Sequence, residues 1–263
     1  MKRREVFSVL TVLSNETTTN FARTAPKKKA IFVLVHGAWH GGWCWKKVSP
    51  LLKGEGHQVY TPTLTGLGER SHLLTKEIDL EMHIHDIVFM LKYEDLQDVI
   101  LVGHSYGGMV ITGVANKERK RLNHIVYLDA FLPEIQKSLQ DYVSISFEEI
   151  AKSKGNGWQI PLLGGSVESL GIKEKDDIDW MTPRIGPQPL KTFTQRLNLS
   201  APLDTSLKKT YIQLTRDRPH FNDSLSRARS QGFQIYSLLS GGHDAMVTQP
   251  VELVKIFTAI VNS

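Results

Sequence analysis

The stretch Val99-Ile100-Leu101-Val102-Gly103-His104-Ser105-Tyr106-Gly107-Gly108 decides how this chain is read. Four apolar residues suit a buried strand, and Met109 to Asn116 continue as a helix that begins near Tyr106. Between them lies Gly-x-Ser-x-Gly, a turn that forces its central serine into strained backbone geometry with the hydroxyl exposed above a sheet. Gly103 and Gly107 are required because a Cβ at either would strike the neighbouring strand or helix. The helix behind Ser105 turns its positive dipole end toward any oxyanion formed there. The motif alone arises by chance; between a buried strand and a helix it marks Ser105 as a nucleophile. His104 is a poor base for it, since neighbours in a tight turn point in different directions. Packing or hydrogen bonding beneath the turn is its expected role.

Outward from this turn the pattern alternates. Strands are expected at 30–35, 58–61, 98–102, 125–128, 210–215 and 234–238. Helices are expected at 45–53, ended by Gly54, at 79–93, where Leu80, Ile84, Ile87 and Leu91 recur at helical spacing, and at about 249–261. Strands alternating with helices predict an α/β fold with a mostly parallel sheet of about six strands and helices on both faces. Residues 132–205 break the alternation. They hold no clear strand, several Gly and Pro, and Trp158 and Trp180, and read as a lid inserted after the fourth strand. The core is then 30–131 plus 206–263, and 1–29 is a tail.

A serine nucleophile needs a base, and the base needs an orienting acid. Where this turn opens a parallel sheet, acid and then histidine follow along the chain. Leu239-Ser240-Gly241-Gly242-His243-Asp244 places His243 in a glycine-rich loop before the terminal helix, the position from which an imidazole can reach Ser105. His36, His57, His72, His83, His85, His124 and His220 fit worse. Asp217, two residues beyond the fifth strand, is the expected acid. Asp129, at the end of the fourth strand, and Asp223 are its rivals; Asp204 precedes the strand.

The oxyanion needs two amide donors, each worth roughly 3–4 kcal/mol. One is the N–H of Tyr106, next after the serine. The other comes from His36-Gly37-Ala38-Trp39-His40-Gly41-Gly42-Trp43, with Ala38 the best placed and Trp39 the alternative. The pocket is expected to be apolar and aromatic, built from Trp39, His40, Trp43, Phe131, Trp158 and Met246, with Trp180 also in reach from the lid.

The segments VLVHGAWHGGWCW, VILVGHSYGGM and LSGGHDAM, in this order, resemble the α/β-hydrolase family. More narrowly they are similar to the plant methylesterase and hydroxynitrile lyase group and its bacterial esterase relatives. The likeness covers about residues 30–263. It implies a triad of Ser105, Asp217 and His243, an oxyanion hole from Ala38 and Tyr106, and no metal or organic cofactor. The lyases of that group carry lysine where this chain has Asp244 and cysteine where it has Tyr106. Both departures argue against cyanohydrin cleavage. The Gly66-Leu67-Gly68-Glu69-Arg70 loop looks bacterial rather than plant.

Composition agrees with such an enzyme. At 263 residues and 41% hydrophobic the chain can bury one large core. A lone cysteine, Cys44, excludes a disulfide framework. No apolar run reaches the roughly 18 residues of a membrane span. The net charge of +5 lies wholly in residues 1–29, which hold seven basic and two acidic side chains; residues 30–263 hold 25 of each. No basic patch marks the body for nucleic acid. Lys2-Arg3-Arg4 ahead of the apolar run Val6–Leu13 resembles a twin-arginine export signal, which would send a bacterial protein to the periplasm or beyond; without it the cytoplasm is expected. The expected activity is a serine carboxylesterase on small or aryl hydrophobic esters, with a small-molecule ester as partner and a homodimer left open. A carbon–carbon lyase and a non-catalytic ligand receptor are the alternatives. An epoxide hydrolase or dehalogenase would need Asp at Ser105.

Overall fold

A computed structural model describes residues 28–263. The tail reading of 1–29, including the export signal, falls outside the described residues except for its last two.

Apolar runs buried on both faces become the central strands. β1 (Ile31–Val35) is flanked by β2 (Gln58–Tyr60) and β3 (Val99–His104), and every residue of β3 is buried. β4 (Leu122–Leu128) lies beyond β3. A ribbon of two short antiparallel strands, β5 (Gln159–Ile160) and β6 (Gln188–Pro189), falls within 132–205. β7 (Lys208–Gln213) and β8 (Gln234–Ser237) complete the main sheet. Its order is β2-β1-β3-β4-β7-β8, and all its pairings are parallel. The six expected strands are therefore present. β4 starts three residues earlier than its apolar run, because His124 finds Thr210 Oγ1 at 2.8 Å and is satisfied inside the sheet.

Helices α1 (Ser49–Gly54), α2 (Leu80–Tyr93) and α3 (Gly107–Glu118) alternate with the first four strands. α1 begins four residues later than the pattern suggested. Pro50 has no N–H to donate and tolerates only a first turn, so a separate 3₁₀ turn, Gly42–Trp45, precedes it. α2 starts where its cap dictates: the Asp79 carboxylate accepts from Met82 N at 2.9 Å, and Leu80, Ile84, Ile87 and Leu91 are all buried. Residues 132–205, the segment expected to be inserted, hold α4 (Phe147–Lys154), α5 (Lys175–Met181) and α6 (Lys191–Thr194). After β7 come α7 (Pro219–Ser230), α8 (Ala245–Thr248) and α9 (Pro250–Val261).

Two apolar layers cover the sheet. Val33, Leu101, Met109, Ile125 and Tyr211 belong to one; Phe32, Leu34, Val102, Val126 and Phe257 belong to the other. Alternate residues of one strand thus feed opposite layers, as the two-residue period of a strand requires.

Register positions the site. His104 of β3 lies opposite Leu128 of β4, and Leu128 opposite Ile212 of β7. The next residues, Ser105 and Asp129, therefore leave neighbouring strand tips side by side. Ser105 N donates to Leu128 O at 3.2 Å and Asp129 N to Ile212 O at 2.8 Å, which carries the ladder one step past the strands.

Candidate active site

Ser105 has φ +54°, the left-handed conformation expected of a serine on this turn. The two glycines do what their spacing implied. A Cβ at Gly103 would sit 2.7 Å from Gly107 O, and one at Gly107 would sit 2.9 Å from His36 O. Only bare backbone fits where α3 crosses the tips of β1 and β3.

His243 Nδ1 donates to Asp129 Oδ2 at 2.8 Å. This corrects the expected acid. Asp217 is exposed and lies four residues past β7, on a polar cavity that His243 also borders, while His243 Nδ1 is engaged by Asp129. Asp129 is fully buried. Its Oδ1 accepts from Leu214 N (3.0 Å) and Thr215 N (3.3 Å), and its Oδ2 also accepts from Thr215 Oγ1 (2.8 Å). Four donors fill the carboxylate, so it is held as an acceptor aimed at the imidazole. Because Nδ1 carries the proton, Nε2 is left with its lone pair, the state a base requires. A signal for Asp129 was present in the sequence: Asp217 lies between Arg216 and Arg218, as a solvated residue would, whereas Asp129 directly follows the buried run Ile125–Leu128.

The histidine is fixed from three sides. Its ring stacks on Phe221, with centroids 4.9 Å apart. His104 Nε2 donates to the His243 carbonyl at 3.0 Å, which is the supporting role expected of His104. Burial, and then the nearby His243, push the His104 pKa well below its ordinary value, so it stays neutral. From the insertion, Leu170 O accepts from His243 N at 2.9 Å. There Gly171 and Gly242 pack so closely that a Cβ on Gly171 would lie 3.0 Å from Gly242 Cα.

The loop after β1 is equally constrained. His36 Nδ1 donates to Gly37 O at 2.8 Å, and its Nε2 accepts from Leu64 N at 3.0 Å. One nitrogen donates and the other accepts, so the ring is neutral, and burial drives its pKa down to about 3. His40 differs. Its Nδ1 faces Ala38 O at 2.6 Å and its Nε2 faces Asp244 Oδ2 at 3.3 Å. Both partners only accept, so both nitrogens donate and the ring is an imidazolium. Burial opposes that charge, but Asp244 and the Ala38 carbonyl outweigh it and raise the pKa. Burial would also raise the Asp244 carboxyl, yet the charged His40 beside it holds it well below the usual carboxylate range. Asp244, the residue after the base, thus lies beneath the loop in a buried ion pair.

Ala38, Trp39, Ser105, Tyr106, Phe131 and His243 line one cavity of about 400 Å³. Trp39 and Phe131, two of the residues expected in the pocket, line this cavity. His40 and Trp43 do not: they stack on each other at 5.1 Å, and Trp43 meets Trp180 at 5.4 Å. Met246 is fully buried in the other apolar layer. Trp158 contributes its carbonyl to Leu190 N at 2.8 Å and stands in the insertion's own framework. The wall also includes Tyr142, Phe147, Leu163, Phe193, His220 and Phe221, none of which carries a motif in the sequence. Four of these, Tyr142, Phe147, Leu163 and Phe193, lie in short or irregular segments of residues 132–205; the Pro219-His220-Phe221 start of α7 is the readable hint. Tyr106 points its side chain away from the reacting centre, its hydroxyl 2.9 Å from His83 Nδ1. His83 Nε2 donates to Thr65 O, so Nδ1 accepts and the tyrosine donates. Among the described residues, no group of three or more His, Cys, Asp or Glu is arranged to hold a metal ion, and no helix is long and apolar enough to cross a membrane.

The chain is similar to known proteins. Residues 32–256 match the model of the alpha/beta hydrolase family. The chain is 38% identical over 245 residues to a carbendazim hydrolyzing esterase of Nocardioides sp. (strain SG-4G), covering 88% of this chain and 99% of that one. It is 34% identical over 148 residues to methylesterase 2 of Arabidopsis thaliana, 55% of this chain and 53% of that one. An extracellular alpha/beta-hydrolase from a Paenibacillus species superposes with a TM-score of 0.76 at 26% identity, over 88% of this chain and 98% of that structure. The chain belongs to the alpha/beta hydrolase family, as one of its esterases.

Proposed function

We propose that the protein is a serine carboxylesterase for small or aryl hydrophobic esters, and that residues 132–205 form the lid of its pocket. The observation that carries this is His243, which donates to buried Asp129 on one side and lines the cavity holding Ser105 on the other. Ser105 Oγ attacks the ester carbonyl and its proton passes to His243 Nε2. The oxyanion takes the Ala38 and Tyr106 amides. Trp39, the alternative donor, is already engaged, since its N–H donates to Gln188 Oε1 at 3.1 Å. The alcohol leaves with the proton from His243, and water, deprotonated by the same histidine, releases the acid. Asp129 orients the imidazole and stabilises its charged form.

The cavity wall is mostly aromatic and aliphatic, with Arg218 and Asp223 as its charged members. That wall favours an apolar acyl or aryl group over a charged one. Since one relative is a carbendazim hydrolyzing esterase, carbendazim belongs on the substrate panel beside p-nitrophenyl acetate and butyrate. Ser105→Ala is expected to abolish p-nitrophenyl butyrate hydrolysis and fluorophosphonate labelling while leaving the circular dichroism spectrum unchanged. Turnover equal to the parent's in that variant would refute the proposal.

A further inference from the structure

Trp39 is held where a tryptophan resists being. Its φ of +66° is left-handed, a region that a residue with a Cβ enters only under strain. Its restraints come from the insertion. The Trp39 amide donates to Gln188 Oε1 at 3.1 Å, its carbonyl accepts from Gly186 N at 3.1 Å, and its indole Nε1 donates to Ile160 O at 2.9 Å. Ile160 and Gln188 are paired in the β5–β6 ribbon, so one small sheet grips both the main chain and the ring. Phe193 closes the ring's edge at 5.8 Å.

Gln188 is fully buried and its orientation is determined. Thr192 Oγ1 gives its proton to Pro189 O at 2.6 Å, so it can only accept from Gln188 Nε2, at 2.8 Å. Oε1 is therefore the end that faces Trp39. The peptide plane joining Ala38 to Trp39 is then fixed at both edges: His40 Nδ1 holds the carbonyl at 2.6 Å and Gln188 holds the N–H. That plane immediately follows the Ala38 amide. Fixing it restrains one side of Ala38, whose own N–H lies in the adjoining peptide plane, and removes the Trp39 N–H as a competing donor.

We infer that Gln188, carried by the insertion, is a positioning residue that builds the oxyanion turn from outside the hydrolase core. This rests on the carboxylesterase reading of the site. The insertion then does more than cover the pocket, since it completes the part of the site that must be rigid when charge develops.

Gln188→Met keeps the length and volume of the side chain and removes the acceptor. With p-nitrophenyl butyrate, kcat is expected to fall roughly 10- to 100-fold while KM stays within about threefold, because the amide matters only once the oxyanion forms. Gln188→Glu keeps an acceptor for Trp39 and is expected to recover part of that kcat. A Gln188→Met enzyme with the parent's kcat, or one whose KM rises while kcat holds, overturns the inference. If the parent shows no Ser105-dependent turnover, the carboxylesterase reading is what fails. The positioning claim is then judged by hydrogen exchange at the Trp39 amide, expected to be slow in the parent and in Gln188→Glu and fast in Gln188→Met. Equal exchange in all three overturns it, and exchange at the buried amides of β3, expected to be as slow in Gln188→Met as in the parent, decides if that variant loses activity through misfolding.

Discussion

The loops that follow β4 and β7 each offer an aspartate near His243, and only one is placed to orient it. Asp129 is the first residue beyond its strand, at φ +43°, buried, with three core donors besides the imidazole. Asp217 lies four residues beyond its strand, exposed, between two arginines. A carboxylate at a strand tip inherits the sheet's register and its buried amides. One in the following loop keeps its water and must find its own geometry. The contrast teaches that chain order is a weaker guide than distance from the strand end and burial of the neighbours.

The largest expected effect tests that contrast directly. Asp129→Asn should lower kcat by about 10⁴, the scale of losing the correct imidazole tautomer, whereas Asp217→Asn should change it less than about threefold. Steady-state kinetics on p-nitrophenyl butyrate measure both, and the reverse ranking would return the acid to β7. Gly108→Ala addresses what holds the β4 tip against the serine turn. Its Cβ would lie 2.0 Å from Phe131 O, a contact with main chain that cannot yield, so expression as folded protein should drop sharply. Circular dichroism and gel filtration would show it.

A third test concerns the pair beneath the loop. The folded Asp244 pKa is depressed, so its contribution is complete above the ordinary carboxylate value near 4 and is lost as acid approaches the folded value. The folded His40 pKa is raised, so its contribution is complete below about 6.5 and is lost as pH climbs through the raised value. The pair is therefore strongest between about pH 4 and 6.5. Asp244→Asn should destabilise by roughly 3 kcal/mol in that window and by less at higher pH. Thermal melts of both proteins from pH 4 to 9 test the sign, and a gap that widened with alkali would contradict it. The smallest effect is expected at the surface. Lys47 and Asp177, 2.5 Å apart, tie the core to α5 through a partly exposed ion pair, and Lys47→Ala should move Tm by less than about 3 °C.

Much of the hydrolase core was legible because its signals are local. Val99–Val102 is continuously apolar, Leu80, Ile84, Ile87 and Leu91 keep helical spacing, and Gly103 and Gly107 are positions where a Cβ meets backbone. The place of His104 beside the serine turns its ring away from the hydroxyl, and it supports the His243 carbonyl instead. The pocket was less legible. Trp43 and Met246 belong to the same motifs as the site residues but turn into packing, and Phe147 and Phe193 sit in an insertion without periodicity. Gln188 carries no motif at all; it matters because β6 brings it under Trp39, 149 positions away in the chain.

By itself the amino-acid sequence determined the alternating sheet, the strained serine turn and the glycine-rich loop that carries the histidine. Each is set by the conformations that neighbouring residues permit. Tertiary structure alone decided which aspartate meets His243, which amide of the loop after β1 is taken by Gln188, and which rings form the wall. Those choices depend on strand register, on the burial of partners distant in the chain, and on where an aperiodic insertion returns to the core, none of which is encoded within one stretch of residues.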